Sequence, residues 1–169
     1  MIFSILAFIA LIISICIKDR TKSLRVQSLN CLLEAIYALY IKAFTGGFLG
    51  IINFIRSSIF IHSEKINKKV YLGLLIMFET FVIVNCIYTW NGFISIFPTI
   101  ASIIRTYCLW QTNMKYIRMS GIITGIFFGI YYLFYQSWFI VIGYIVLLIM
   151  SIVSTYKNDI KKKGNEFYG

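Results

Sequence analysis

Two glutamates, Glu34 and Glu79, lie near the middle of long apolar stretches of the chain. An ionised carboxylate is costly at hydrocarbon depth, so acidic groups in such stretches usually face a bundle interior or water. Each glutamate has two interpretations: a relay or solute contact, or a protonated carboxyl that is hydrogen-bonded to a neighbouring helix. The pattern leaves both open for Glu34. A structural role is favoured for Glu79 if its stretch lies at the periphery.

Other polar side chains are also placed deep within apolar stretches. Asn53 carries an amide that both donates and accepts, which suits a sugar-like or amide-bearing solute. The alternative is a hydrogen bond between helices, worth about 1 kcal/mol. Asn30 and Asn85 allow the same two interpretations. Tyr37 and Tyr131 are candidates for lining a central path.

The residues needed for catalysis or metal binding do not occur in suitable patterns. The chain has one histidine, His62, and four cysteines without a Cys-x-x-Cys spacing. Neither a hydrolytic triad nor a glycine-rich phosphate loop can be identified. We therefore expect no enzymatic activity, no metal and no cofactor.

Composition indicates that the apolar stretches cross a membrane. Hydrophobic residues make up 60% of the 169 residues and charged residues 13%. A helix of about 20 apolar residues crosses a hydrocarbon core of about 30 Å. An all-α protein with seven transmembrane helices is predicted, and Gly46-Gly47 is expected to end the second helix after Phe44. The predicted helices span residues 2–17, 24–44, 46–62, 70–89, 93–109, 117–135 and 138–156.

The net charge of +10 follows membrane topology rather than nucleic-acid binding, because the cations stand at the ends of apolar stretches. Four follow the first stretch, four lie around the loop after the third, three around the loop after the fifth, and four in the tail. Arg56 and Arg105 are counted with these loops. Only Lys42 remains near the other side, which predicts an outside N-terminus and a cytoplasmic C-terminus.

The first three stretches resemble the last three. A shift of 91 residues sets Ser4 on Ser95, and a shift of 94 sets Tyr37 on Tyr131. Because four crossings separate the two copies, they would be parallel, related by an axis along the membrane normal. This predicts a first repeat at 1–62, a linker helix at 63–92, a second repeat at 93–156 and a basic cytoplasmic tail at 157–169.

Small residues recur at every fourth position, a spacing that lets helix backbones approach closely. These glycines are Gly121, Gly125 and Gly129, with a shorter series at Gly46 and Gly50. Their predicted role is structural packing. Pro98 interrupts the fifth stretch and is expected to kink it, either as a gating hinge or as a static bend.

A pattern of small, aromatic and polar positions occurs between residues 18 and 56, while length and helix count bear on nearly the whole chain. It comprises Lys18-Asp19-Arg20, Gln27, Asn30, residues 35–46, Asn53 and Arg56. In this pattern the chain resembles the YgjV family of bacterial inner membrane proteins. The resemblance implies a multi-pass protein of the bacterial plasma membrane without implying an activity.

The parallel layout also resembles SWEET and PQ-loop (MtN3-like) transporters. Thr21-Lys22-Ser23 is similar to their first loop, and Tyr37 with Tyr40 to their aromatic pair. Asn53 falls where those proteins place a substrate-contacting asparagine. Pro98 is the only proline, and Leu147 stands opposite Asn53, so the sequence departs from that family's hinges and from its symmetric site.

Two functions follow as hypotheses. The first is a facilitator for a small polar or sugar-like solute that works by alternating access, with Asn53, Tyr37, Tyr131 and Glu34 around the solute. The second is a membrane assembly or interaction protein that transports nothing. Both have the lipid bilayer as partner and neither involves nucleic acid; the sequence leaves a homo-oligomer open.

Overall fold

The computed structural model describes residues 2–17, 20–61, 68–111 and 114–156. The regular structure of these residues is helical throughout, which confirms the all-α prediction. A 3₁₀ turn at Phe93–Ser95 leads into the fifth helix. The α-helices are α1 (Ile2–Cys16), α2 (Arg20–Tyr40), α3 (Phe44–Phe60), α4 (Lys68–Tyr88), α5 (Ile96–Trp110), α6 (Met114–Phe134) and α7 (Trp138–Thr155).

Four segments are long and apolar enough to cross a membrane: Val70–Tyr88, Phe93–Trp110, Lys115–Phe134 and Trp138–Thr155. The apolar parts of α1 and α3 are shorter, at Ser4–Ser14 and Phe44–Phe60. Helix α2 has 21 residues, a length of about 32 Å, but it carries many polar side chains. Seven helices are therefore present in the described residues, and length and composition support a crossing for four of them.

Six of the helices pack in a closed ring. Each contacts its neighbours in the order α1, α2, α3, α5, α6 and α7, and α7 packs on α1 to complete the circle. Helix α4 packs against α3 and α5, at the outer side of their contact. The six helices surround a common centre, to which α4 contributes no side chain.

The connection between α2 and α3 differs from the prediction. Helix α2 ends at Tyr40, and Lys42 takes the left-handed conformation with φ 59°. The Ala43 N–H donates to the Ala38 carbonyl at 2.8 Å. The predicted break at Gly46-Gly47 is wrong, because both glycines lie inside α3. They are small for packing: a Cβ on Gly46 would lie 2.7 Å from the Tyr131 ring.

The same turn occurs again 94 residues later. Gln136 is left-handed with φ 52°. Its N–H donates to the Leu133 carbonyl at 3.0 Å, as Lys42 N–H does to Leu39 at 3.1 Å. Helices α2 and α6, which precede the two turns, both have 21 residues. The two turns thus lie 94 residues apart, the shift that the sequence indicated for this region.

Glycine allows the closest helix approach in each half of the chain. A Cβ on Gly50 of α3 would lie 3.1 Å from the Cys31 carbonyl oxygen of α2. A Cβ on Gly125 of α6 would lie 3.0 Å from the Tyr144 carbonyl oxygen of α7. On the same helix as Gly125, Gly121 faces Ser151, whereas a Cβ on Gly129 would have its nearest contact at 3.8 Å.

Pro98 is the third residue of α5 and is buried. A proline in the first turn of a helix occupies a position where N–H groups lack intrahelical partners, so it costs little there. The expected mid-helix kink is therefore replaced by a helix start that follows the 3₁₀ turn. A hinge at this junction stays a prediction.

Candidate functional site

A cavity lies at the centre of the ring. Side chains from all six ring helices line it, and α4 does not. Its volume is about 30 Å³, which is space for about two water molecules. In this conformation the centre has little free space, and a larger solute would require the helices to move.

Helix α2 turns its polar face toward this cavity. Gln27, Asn30 and Glu34 follow one another at intervals of three and four residues, which places them on one side of a helix. All three line the cavity and are buried. These three polar side chains of α2 therefore face the protein interior, whereas Lys22 and Arg25 near its start are exposed.

Glu34 links the two halves of the chain. Its side chain is 7% exposed, and its Oε1 accepts a hydrogen bond of 2.6 Å from the Tyr144 hydroxyl of α7. A buried hydrogen bond of this kind compensates part of the cost of removing the carboxyl from water. The hydrogen bond to another helix fits the structural interpretation of Glu34. Its position in the cavity lining fits the alternative, a relay or solute contact.

Arg56 is the most deeply buried charged side chain of the site, at 1% exposure. Its Nη1 donates to the Thr106 hydroxyl at 2.6 Å and to the Ser102 carbonyl at 3.5 Å, both on α5. Its Nε and Nη2 have no hydrogen-bond partner among the described residues. The assignment of Arg56 to a loop is wrong, because it lies within α3, four residues before the helix ends.

Asn53 and Arg105 complete the polar lining. The Asn53 amide nitrogen donates to the Ser102 hydroxyl at 3.4 Å, whereas its Oδ1 is buried without a partner among the described residues. Arg105 lies within α5 rather than in the loop after it, and its Nη1 donates to the Thr124 hydroxyl at 3.5 Å. In the described part of the chain, neither guanidinium forms an ion pair with a carboxylate.

The two predicted tyrosines are placed elsewhere. The Tyr131 hydroxyl accepts from the Gly46 N–H at 2.9 Å, and the Tyr37 hydroxyl accepts from the Ser137 hydroxyl at 3.1 Å. Both contacts join the halves of the chain beside the two left-handed turns. Of the four predicted solute contacts, Glu34 and Asn53 meet at the cavity, whereas Tyr37 and Tyr131 do not line it.

Sequence reasoning does not identify the two cavity arginines, because cations near helix ends also fit a membrane-topology pattern. One signal was available for Arg56: it follows Asn53 by three residues, which puts both on one helix face. A helix that carries Asn53 inward therefore carries Arg56 inward too.

The family comparison agrees with the membrane character of the helices. The model of the Imp-YgjV family, described as bacterial inner membrane proteins, matches residues 1–162. The chain belongs to the Imp-YgjV family. This confirms the resemblance found in the sequence. No curated protein and no solved structure matches the chain, so the SWEET-like architecture rests on the sequence pattern alone.

Outside the cavity, this member of the Imp-YgjV family has a second polar cluster, where α4 meets α3 and α5. Thr45 Oγ1 donates to the Thr89 carbonyl at 2.7 Å and contacts the Ser95 hydroxyl at 3.1 Å. The Asn85 amide donates to the Thr45 carbonyl at 3.4 Å. Of the two interpretations of Asn85, the structure fits the hydrogen bond between helices, since this bond attaches α4 to the ring.

Glu79 lies on α4 and is half-buried, and it does not line the cavity. Its Oε2 is buried without a hydrogen-bond partner in the described residues. Within the same residues, no three His, Cys, Asp or Glu side chains are grouped in a way that could hold a metal ion. Among the residues that the structure describes, the charged groups lining the cavity are Glu34, Arg56 and Arg105.

Proposed function

We propose that this inner membrane protein is a facilitator for a small polar or sugar-like solute, which binds at the centre of the ring. One observation carries the proposal: all six ring helices contribute to a single cavity that holds Glu34, Asn53, Arg56 and Arg105. Buried charged groups at membrane depth are costly, and in membrane proteins they mark solute and ion pathways. The proposal includes no catalytic activity.

The proposed architecture is two parallel three-helix units, α1–α3 and α5–α7, joined by α4. The two left-handed turns support it, because they lie 94 residues apart. Cavity positions support it as well, since the same shift pairs Asn30 with Thr124 and Glu34 with Phe128, all of which line the cavity. The order of the ring also fits, because the contact of α3 with α5 corresponds to the contact of α7 with α1.

All seven helices cross the membrane in this proposal, with the N-terminus outside and the C-terminus in the cytoplasm. Helix α2 is included because Gln27, Asn30 and Glu34, its deeper polar side chains, face the cavity. Enzyme reporters fused at the two ends should report opposite compartments. Both ends in one compartment would contradict the odd number of crossings and, with it, the parallel units.

Transport would occur by rocking of one unit against the other, which opens the central site to each side in turn. The small cavity would correspond to a state between the two openings. Tyr37 and Tyr131 would close the outer path, since their hydroxyls join the halves beside the turns. Glu34, Asn53, Arg56 and Arg105 would contact the solute.

A native cysteine makes alternating access testable. Cys31 lines the cavity and is buried. In a variant that keeps Cys31 and has serine at Cys16, Cys86 and Cys108, a small impermeant thiol reagent should reach Cys31 from either side of the membrane. Flux of small solutes into proteoliposomes is measured in parallel. Reaction from neither side, in a folded protein without flux for any solute, would overturn the proposal.

The alternative is an assembly or interaction protein without transport. The small cavity volume of about 30 Å³ is the observation that favours it, because a packed centre is also what a static bundle would have. Crosslinking in the native membrane separates the two functions. A stable partner complex, together with an unreactive Cys31, would support the alternative.

A further inference from the structure

The unpaired groups of Arg56 form one geometrical unit. The N–H bonds of Nε and Nη2 lie side by side on one edge of the planar guanidinium and point in the same direction. This edge forms two parallel hydrogen bonds with the two oxygens of a carboxylate. In the structure, Nη1 is held by Thr106 and Ser102, while Nε and Nη2 have no partner among the described residues. The protein thus holds the guanidinium through one group and leaves the two groups of its bidentate edge buried and unpaired.

Because the unpaired edge of Arg56 is buried, a bound ligand would gain free energy by pairing with it. Arg56 is 1% exposed, and a buried donor without a partner costs free energy that a bound acceptor recovers. Asn53 lies three residues earlier on the same face of α3, and its Oδ1 is buried without a partner in the described residues. Two unpaired donors and one unpaired acceptor therefore belong to side chains that line the same cavity. A ligand that carries both a carboxylate and a hydroxyl would satisfy all three.

The charges of the cavity favour an anion over a neutral solute. Arg56 and Arg105 each carry a positive charge, and Glu34 is the only carboxyl among the described residues that line the cavity. Even with Glu34 ionised, one positive charge remains without a counter-charge in the lining. Glu79, the acidic group of α4, does not line the cavity, although its carboxyl interacts electrostatically with Arg56 from outside it. With Glu34 ionised and Glu79 neutral, a single monovalent anion would balance the site.

We propose that the cavity binds a small monovalent carboxylate, held by the Nε and Nη2 groups of Arg56, with a neighbouring hydroxyl on Asn53 Oδ1. Arg105 contributes the second positive charge. Because the cavity of about 30 Å³ holds only about two water molecules, the ring must open to admit a carboxylate, and a compound with few heavy atoms requires the least movement. The inference names the solute class of the facilitator proposed above and rests on that function for its physiological meaning, although binding itself is measurable without transport.

The test uses the full-length protein in detergent and glycolate as the ligand. Glycolate and its amide, glycolamide, have nearly the same size and share the hydroxyl, but only glycolate is charged. Glycolate should raise the unfolding temperature in a saturable manner at constant ionic strength, and glycolamide should not. Equal effects of the two compounds, or displacement of labelled glycolate by chloride at the same concentration as by unlabelled glycolate, would overturn the proposal.

Matched arginine variants locate the binding. Arg56→Gln should weaken glycolate binding by about ten- to a hundredfold. Arg25→Gln makes the same change at an exposed arginine of α2 and should leave the affinity unchanged. Arg56→Lys keeps the charge without the bidentate edge and should recover only part of the loss. Equal affinity in Arg56→Gln and Arg25→Gln would place the ligand elsewhere. If Arg56→Gln does not fold, the glycolate and glycolamide comparison on the wild type still decides.

The binding assay and the flux assay test the two proposals separately. Saturable glycolate binding without flux of any solute would support the carboxylate site and contradict the facilitator. Flux of neutral solutes without glycolate binding would support the facilitator and contradict the carboxylate site.

Discussion

The two interfaces that join the halves of the ring occupy corresponding places but differ in chemistry. Between α3 and α5, Arg56 contacts Thr106 at 2.6 Å and Asn53 contacts Ser102 at 3.4 Å. Between α1 and α7, apolar side chains meet a glycine: a Cβ on Gly143 would lie 3.1 Å from the Phe8 ring. One interface is held by polar groups and the other by apolar packing.

This difference indicates which interface opens. In lipid, apolar surfaces gain little from associating with each other, since the acyl chains are equally apolar, whereas hydrogen bonds between helices stabilise their contact. We therefore expect α3 and α5 to stay together and α1 and α7 to separate when the cavity opens. The halves would then move about the α3–α5 interface, which α4 reinforces from outside.

The helix contacts within each half are closer than those between the halves, and substitutions there should have the largest effect on the free energy of unfolding. Gly50 lets α3 cross closely over α2, and Gly125 lets α6 cross closely over α7. The glycine is thus on the second helix of one pair and on the first helix of the other. Gly50→Ala and Gly125→Ala should each lower the free energy of unfolding by about 3 kcal/mol, because the new methyl would meet backbone atoms at 3.0–3.1 Å. Thermal or chemical unfolding in detergent measures the loss.

Gly129→Ala is the control for the glycine prediction. It is the same change on the same helix as Gly125, and its nearest contact would be at 3.8 Å. This variant should keep the stability of the wild type. If all three variants behave alike, close packing does not define the two units.

The polar interface gives the second prediction. Thr106→Val removes the hydroxyl that accepts from Arg56 Nη1 at 2.6 Å and should cost about 2 kcal/mol, since a buried charged donor then loses its shorter hydrogen bond. Combining it with Arg56→Leu should restore part of the stability, because no charged donor remains. A Thr106→Val variant as stable as the wild type would show that the α3–α5 interface is not held by this contact.

Helices and their approximate ends could be predicted from the sequence, because apolar length and the charged breaks determine them. The end of α2 could not. Gly46-Gly47 resembled a break, but helix termination depends on the backbone at Lys42, and a lysine with φ 59° has no sequence signature. The glycines serve close packing instead, and the partner that requires this, Tyr131, lies 85 positions away in sequence.

The site was predictable only in part. Glu34 and Asn53 could be selected because a polar group in an apolar stretch needs an interior environment. Arg56 and Arg105 carry the same signal, but their positions near helix ends also fit a topology rule, and that interpretation prevailed. Tyr37 and Tyr131 were selected from repeat symmetry, which locates equivalent backbone positions but not which side chains reach the cavity.

The third prediction concerns the hydrogen bond that connects α2 to α7 close to the apolar interface. Tyr144→Phe removes the donor that contacts Glu34 at 2.6 Å. A double-mutant cycle with Glu34→Leu should give a coupling free energy of about 1 kcal/mol. The cycle uses unfolding free energies of the four proteins in one detergent. A coupling free energy near zero would show that the hydrogen bond between Tyr144 and Glu34 does not stabilise the contact of α2 with α7.

The smallest effect is expected at the apolar interface itself. Gly143→Ala places a methyl 3.1 Å from the Phe8 ring and 3.3 Å from the Leu11 side chain. Both contacts are the outer atoms of side chains that can shift, unlike the backbone atoms that face Gly50. Alanine also favours the helix over glycine. The free energy of unfolding should therefore change by less than about 0.5 kcal/mol. A loss as large as that of Gly50→Ala would mean that α1 and α7 are packed as rigidly as the helices within each half, and the interface expected to open would then be the wrong one.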